Sequence, residues 1–108
     1  MPAVPENAKV VGRVDVRDVP VGGIVPVSDR VCVVRTGEGF FAVQRICPHA
    51  GADLANGYEE SGRLLCAWHN LPFDPRTGQS PLESVRALAV YPMRQTGPQT
   101  YEVLDRDR

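Results

Sequence analysis

Cys47-Pro48-His49-Ala50-Gly51 and Cys66-Ala67-Trp68-His69, with 16 residues between His49 and Cys66, are the two stretches on which the reading of this chain turns. Each pairs one thiol with one imidazole. In extended backbone, residues i and i+2 face the same side, so Cys47 and His49 can both point inward. In a tight turn, residues i and i+3 can do the same, which serves Cys66 and His69. Gly51 and Gly57 allow the intervening loop to fold back, and Pro48 stiffens the first pair between its two candidate ligands. Both histidines of the chain, two of its three cysteines and its only tryptophan lie in these two short stretches.

The sequence on either side has a different rhythm. Short runs rich in β-branched residues recur between turn signals: Val10-Val11, Ile24 to Val27, Val31 to Val34, Phe40 to Val43, Val85 to Met93 and Tyr101 to Leu104. The breaks are Val21-Gly22-Gly23, Thr36-Gly37-Glu38-Gly39, Pro75-Arg76-Thr77-Gly78 and Thr96-Gly97-Pro98, residues that supply the φ angles of tight turns. That spacing predicts an all-β sandwich or barrel of antiparallel hairpins. The one helical candidate is Ala52-Asp53-Leu54-Ala55, confined by Gly51 and Gly57 to about a turn. Between Ile46 and Asp74 the strand alternation lapses, and the candidate ligands sit in that interval.

Length and charge narrow the function. The 108 residues fit one domain, 1–108, with the segment of about 46–74 as an inserted subdomain. Twelve basic and thirteen acidic residues give a net charge of -1, with the basic ones scattered singly rather than gathered in a stripe, so a nucleic-acid partner is not expected. No stretch approaches the ~20 apolar residues of a membrane span, and Met1 to Glu6 carries no basic-then-apolar leader, which predicts a soluble, cytoplasmic protein. Three cysteines, two of them beside histidines, fit a metal or cluster better than a disulfide framework. Cys32, inside Val31-Cys32-Val33-Val34 and far from any partner motif, reads as a small buried hydrophobe.

A zinc finger of the Cys2His2 kind places its cysteines in one knuckle and its histidines in the other, whereas each pair here is mixed. A mixed zinc site remains chemically possible. The mixed pattern suits a binuclear cluster with both cysteines on one iron and both histidines on the other. At this point the sequence resembles the Rieske-type 2Fe-2S ferredoxin family, through the two pairs and through Trp68-His69, Phe73-Asp74, Arg76-Thr77-Gly78, Val85-Arg86-Ala87-Leu88 and Tyr91-Pro92.

The resemblance implies a Rieske iron–sulfur fold, two small antiparallel sheets carrying the cluster-binding insertion, with one 2Fe-2S cluster held by Cys47, His49, Cys66 and His69. High-potential members of the family carry an additional, disulfide-linked cysteine in each knuckle plus a Ser and a Tyr that hydrogen-bond to sulfur. The matching positions here are Ala52, Trp68, Leu71 and Phe73, so the chain resembles the low-potential branch. That branch implies a monomeric electron carrier between a flavoprotein reductase and a terminal, ring-hydroxylating-type oxygenase. The alternatives are a small relay subunit of a larger enzyme, such as nitrite reductase, or a redox-responsive interaction module.

The chain is not expected to be the oxygenase itself. A mononuclear iron needs two more histidines and a carboxylate, and both histidines are already committed. Partners are expected to dock at a face of His49 and His69 framed by Pro48, Ala50, Trp68, Asn70, Leu71 and Pro72. Trp68 suits either a cap over the cluster or a place in the core. Asn70 stands where the family usually has Gly, and positive φ is a conformation Asn tolerates.

Overall fold

A computed structural model of the chain describes residues 9–48, 51–68, 70–82 and 84–106. The strands among these described residues are β1 (Val10–Asp15), β2 (Ile24–Pro26), β3 (Val31–Thr36), β4 (Gly39–Gln44), β5 (Tyr58–Glu60), β6 (Arg63–Cys66), β7 (Leu71–Phe73), β8 (Val90–Tyr91), β9 (Met93–Gln95) and β10 (Thr100–Leu104). They form three antiparallel sheets, ordered β1-β10-β9, β2-β3-β4-β8 and β5-β6-β7. The fold is all-β, as the hairpin rhythm predicts. Among the described residues helix is limited to two 3-10 turns, Val16–Asp18 and Leu54–Asn56, and no helix is long and apolar enough to cross a membrane.

Strand β3 explains how the layers stack. Successive side chains of a strand face opposite sides, yet Val31, Cys32, Val33 and Val34 are all buried. Val31 and Val33 pack with Val14, Ala42, Met93 and Val103, a core shared with the β1-β10-β9 sheet. Cys32 faces the other way and packs with Val43, Cys47, Leu54, Leu64, Cys66 and Phe73, a core shared with the insertion. The middle sheet is therefore covered on both faces, which is why its central strand reads as a continuous apolar run instead of an alternating one.

Two expectations need correction. The run Val85 to Met93 is not one strand: it enters β8 only at Val90, and Pro92 separates β8 from β9, which belongs to another sheet. Upstream, the backbone N–H groups bond outside the ladder, Leu88 donating to Gly78 O at 2.7 Å and Ala89 to the Gln44 side-chain Oε1 at 3.0 Å, while Pro92 has no N–H to extend a ladder. The second correction concerns the interval where alternation lapses, which contains the β5-β6-β7 sheet. Its strands are three or four residues long, too short for a period to register, and the signal that survives is the turn Ser61-Gly62 between Glu60 and Arg63.

Candidate metal centre

The two cysteines sit at the entrances of two loops that the fold closes in different ways. The first loop is pinched at its base, where Ile46 bridges Asp53, Cys47 N–H donates to Ala52 O at 2.8 Å and Gly51 N–H donates to Cys47 O at 2.8 Å. A bidentate ion pair reinforces the pinch: Arg45 Nε lies 2.9 Å from Asp53 Oδ1 and Nη2 lies 2.7 Å from Oδ2, while Nη1 reaches Ser28 O at 3.0 Å. Asp53 also accepts from Ala55 N–H, capping the Leu54–Asn56 turn. The Arg45 guanidinium holds the Asp53 carboxyl below its ordinary range, so the pair is charged at neutral pH. The second loop is the connection 67–70 between Cys66 and Leu71, which face each other across β6 and β7.

These closures bring Cys47 and Cys66 into one buried cluster, at 1% and 0% exposure, and both thiols are free. Burial pushes the Cys66 thiol up, the Trp68 backbone N–H opposes that by donating to its sulfur, and Cys47 lies close enough to raise it further. The third cysteine, Cys32, is equally buried, and its thiol is pushed up to about 12, mainly by burial, with the Asp53 carboxylate adding to the rise. It is a neutral core side chain at physiological pH, the role its strand context predicts.

Of the four proposed ligands, the structure thus unites Cys47 and Cys66, while His49 and His69 lie outside the described residues. Among the described residues no three metal-ligating side chains gather anywhere else. Two thiols presented side by side from two loops, with no disulfide between them, match the sulfur half of a mixed donor set and fit a binuclear cluster. A cavity of about 510 Å³, lined by Phe40, Phe41, Val90, Tyr91 and Met93, lies on the β4-β8 face and includes neither cysteine.

Around the thiols, Phe73 is fully buried and Leu71, at 5% exposure, belongs to the same core. Leu71 therefore does not frame the docking face, because its pairing with Cys66 turns it inward. Trp68 is 58% exposed, which decides between its two readings in favour of a surface position at the tip of the second loop. Pro48 and Pro72 are half-buried, Asn70 is exposed, and Ala50 lies outside the described residues.

Residues 6–92 match the family model of the Rieske 2Fe-2S domain. The chain belongs to the Rieske 2Fe-2S domain family. Its resident cofactor is accordingly a 2Fe-2S cluster. This Rieske chain is 35% identical over 65 residues to the anthranilate 1,2-dioxygenase ferredoxin subunit of Burkholderia cepacia, covering 59% of the chain and 60% of that relative. The ferredoxin of carbazole 1,9a-dioxygenase from Nocardioides aromaticivorans IC177 superposes with a TM-score of 0.73 at 26% identity, covering 89% of this chain and 97% of that one. A ferredoxin of Sphingomonas yanoikuyae B1 gives 0.76 at 21% identity, covering 92% and 100%, a likeness of fold. The Rieske chain spans between 8% and 60% of the length of the curated relatives it matches.

Proposed function

We propose that this chain is a one-electron carrier that holds its cluster through Cys47, His49, Cys66 and His69. The observation that carries the proposal is the meeting of two free, buried thiols beneath a loop whose Trp68 is left in solvent. Bound there, a 2Fe-2S cluster supplies a one-electron couple and no bond-making chemistry. The protein's part is to bury and orient. Leu54, Leu64 and Phe73 keep water from the sulfur side, and the Trp68 N–H favours the thiolate of Cys66 by donating to it.

The redox partners we propose are a flavoprotein reductase and a terminal oxygenase of the ring-hydroxylating kind, docking transiently on a monomer at the His49/His69 face. Support comes from the likeness to two ferredoxins of dioxygenase systems and from the exposed, uncharged Trp68 beside the second pair. Rapid mixing tests it: the reduced protein should be reoxidised by such an oxygenase within its turnover time, and a reduced protein that reacts with no oxygenase would overturn the assignment. In the same assay Trp68→Ala should slow electron transfer at least ~5-fold while changing folding stability by less than about 1 kcal/mol, since an exposed side chain contributes little packing. A loss of ~3–5 kcal/mol, the cost of a buried aromatic, would contradict the surface position.

The second expectation concerns the potential. Phe73 packs in the same core as both cysteines, where family members of high potential place a tyrosine. A phenol donating to a cysteine sulfur favours the reduced state, which carries the additional negative charge. A neutral hydrogen bond of about 1 kcal/mol corresponds to about 40 mV for one electron. Phe73→Tyr is therefore expected to raise the reduction potential by ~20–60 mV from a native value near the low end of the Rieske range. Leu71→Ser should act in the same direction. Protein-film voltammetry at fixed pH measures both, and a native potential above about +100 mV would contradict the low-potential assignment.

A further inference from the structure

Among the described residues, two that are not glycine take a left-handed backbone: Ser61 at φ 54° and Asn70 at φ 52°. Ser61 needs no special account, since it sits with Gly62 in the two-residue hairpin turn between β5 and β6, where positive φ matches the twist of the strands. Asn70 ends the four-residue connection 67–70, directly after His69. Its side chain accepts a hydrogen bond from across the sheet, the Tyr58 hydroxyl donating to Asn70 Oδ1 at 2.7 Å.

Tyr58 is well mounted for this. It opens β5, paired with Leu65, and follows a glycine that has no room for a side chain. A Cβ on Gly57 would stand 2.2 Å from the Leu65 carbonyl oxygen, and Gly57 N–H donates to Leu54 O at 3.0 Å. Leu54 itself is fully buried in the core that contains Cys47 and Cys66. The phenol therefore ties the segment descending from the first loop to the last residue of the second. No covalent tie joins the described parts of those loops, because all three cysteines are free.

We infer that Tyr58 is a positioning residue for the second ligand loop: through Asn70, its hydroxyl fixes the backbone into which His69 leads, and so governs how firmly the cluster is held. The inference rests on the cluster reading proposed above. Water could replace the phenol as a partner of Asn70, but it would not hold that side chain to one direction. Direction matters here because a left-handed asparagine returns readily to other backbone regions when its side chain is released.

The test uses the holoprotein, with Tyr58→Phe made in the native chain and in an Asn70→Gly chain. Glycine keeps the positive φ without support, so the hydroxyl should matter only when Asn70 is present. In the native chain Tyr58→Phe should alter the EPR line shape of the reduced protein and speed iron loss to a chelator roughly three- to tenfold, with the urea midpoint of the chain unmoved. In the Asn70→Gly chain the same replacement should change neither. Unaltered EPR and iron loss in the native chain, or equal changes in both backgrounds, would overturn the inference. Native protein without iron and sulfide would overturn the cluster reading, and the inference with it, before any variant is compared.

Discussion

Cys66→Ala is expected to abolish cluster binding, taking the iron content from about two per chain to near zero, while the β-sheet signal of the chain persists. Cys66 is fully buried in the core it shares with Cys47. Removing its sulfur leaves one iron an open position that water would hydrolyse. The packing loss itself is small, a single sulfur atom, so folding should survive. Cys47→Ala should behave alike. Cys32→Ala is the control: it is equally buried in the same core, yet its thiol is held neutral by burial and its strand belongs to the middle sheet. That variant should keep its full iron. Iron and acid-labile sulfide assays on the three purified proteins check the set, and full iron in Cys66→Ala would remove that residue from the site.

Gly78→Ala should destabilise the holoprotein by more than about 3 kcal/mol, the largest effect expected away from the ligands. Gly78 has φ +82°, which an alanine adopts only with strain. Steric contact adds more than that strain: a Cβ there would stand 2.1 Å from Leu88 O and 3.2 Å from Val90 Cγ2. The segment cannot simply move aside, because Leu88 N–H donates to Gly78 O and Gly78 N–H donates to Asp74 O at 2.6 Å. Those bonds hold the strand that returns to the middle sheet, and Leu88 seals the core beneath the cysteines. Gly37→Ala, at the tip of the β3-β4 hairpin with no atom within 4 Å, should leave the urea midpoint within error of the native one.

The parts of the molecule legible in the sequence are those where one residue type has one physical use. Gly37 and Glu38 between two apolar runs mark a hairpin, and the β3-β4 pairing follows with Thr36 opposite Gly39. Two Cys-His pairs at short spacing mark a site, and Cys47 and Cys66 do meet in one core. The short strands Tyr58–Glu60, Arg63–Cys66 and Leu71–Phe73 are not legible, since their order is imposed by tertiary pairing and not by any period of their own. Nor is the inward turn of Leu71, which depends on its register opposite Cys66. The Arg45–Asp53 clamp joins residues eight apart with no helix between them, so no local pattern announces it. Trp68 shows the limit from the other side: a large apolar residue reads as core or surface equally well until the turn that carries it is placed.

The central claim, that two imidazoles complete a site begun by Cys47 and Cys66, has a direct test because the chain contains only two histidines. Protein labelled with 15N at histidine alone, reduced and examined by pulsed EPR, reports any ring nitrogen bound to iron and nothing else. Strong couplings from both ring systems are expected, with one lost in His49→Cys and the other in His69→Cys. A reduced spectrum free of 15N couplings would contradict the claim.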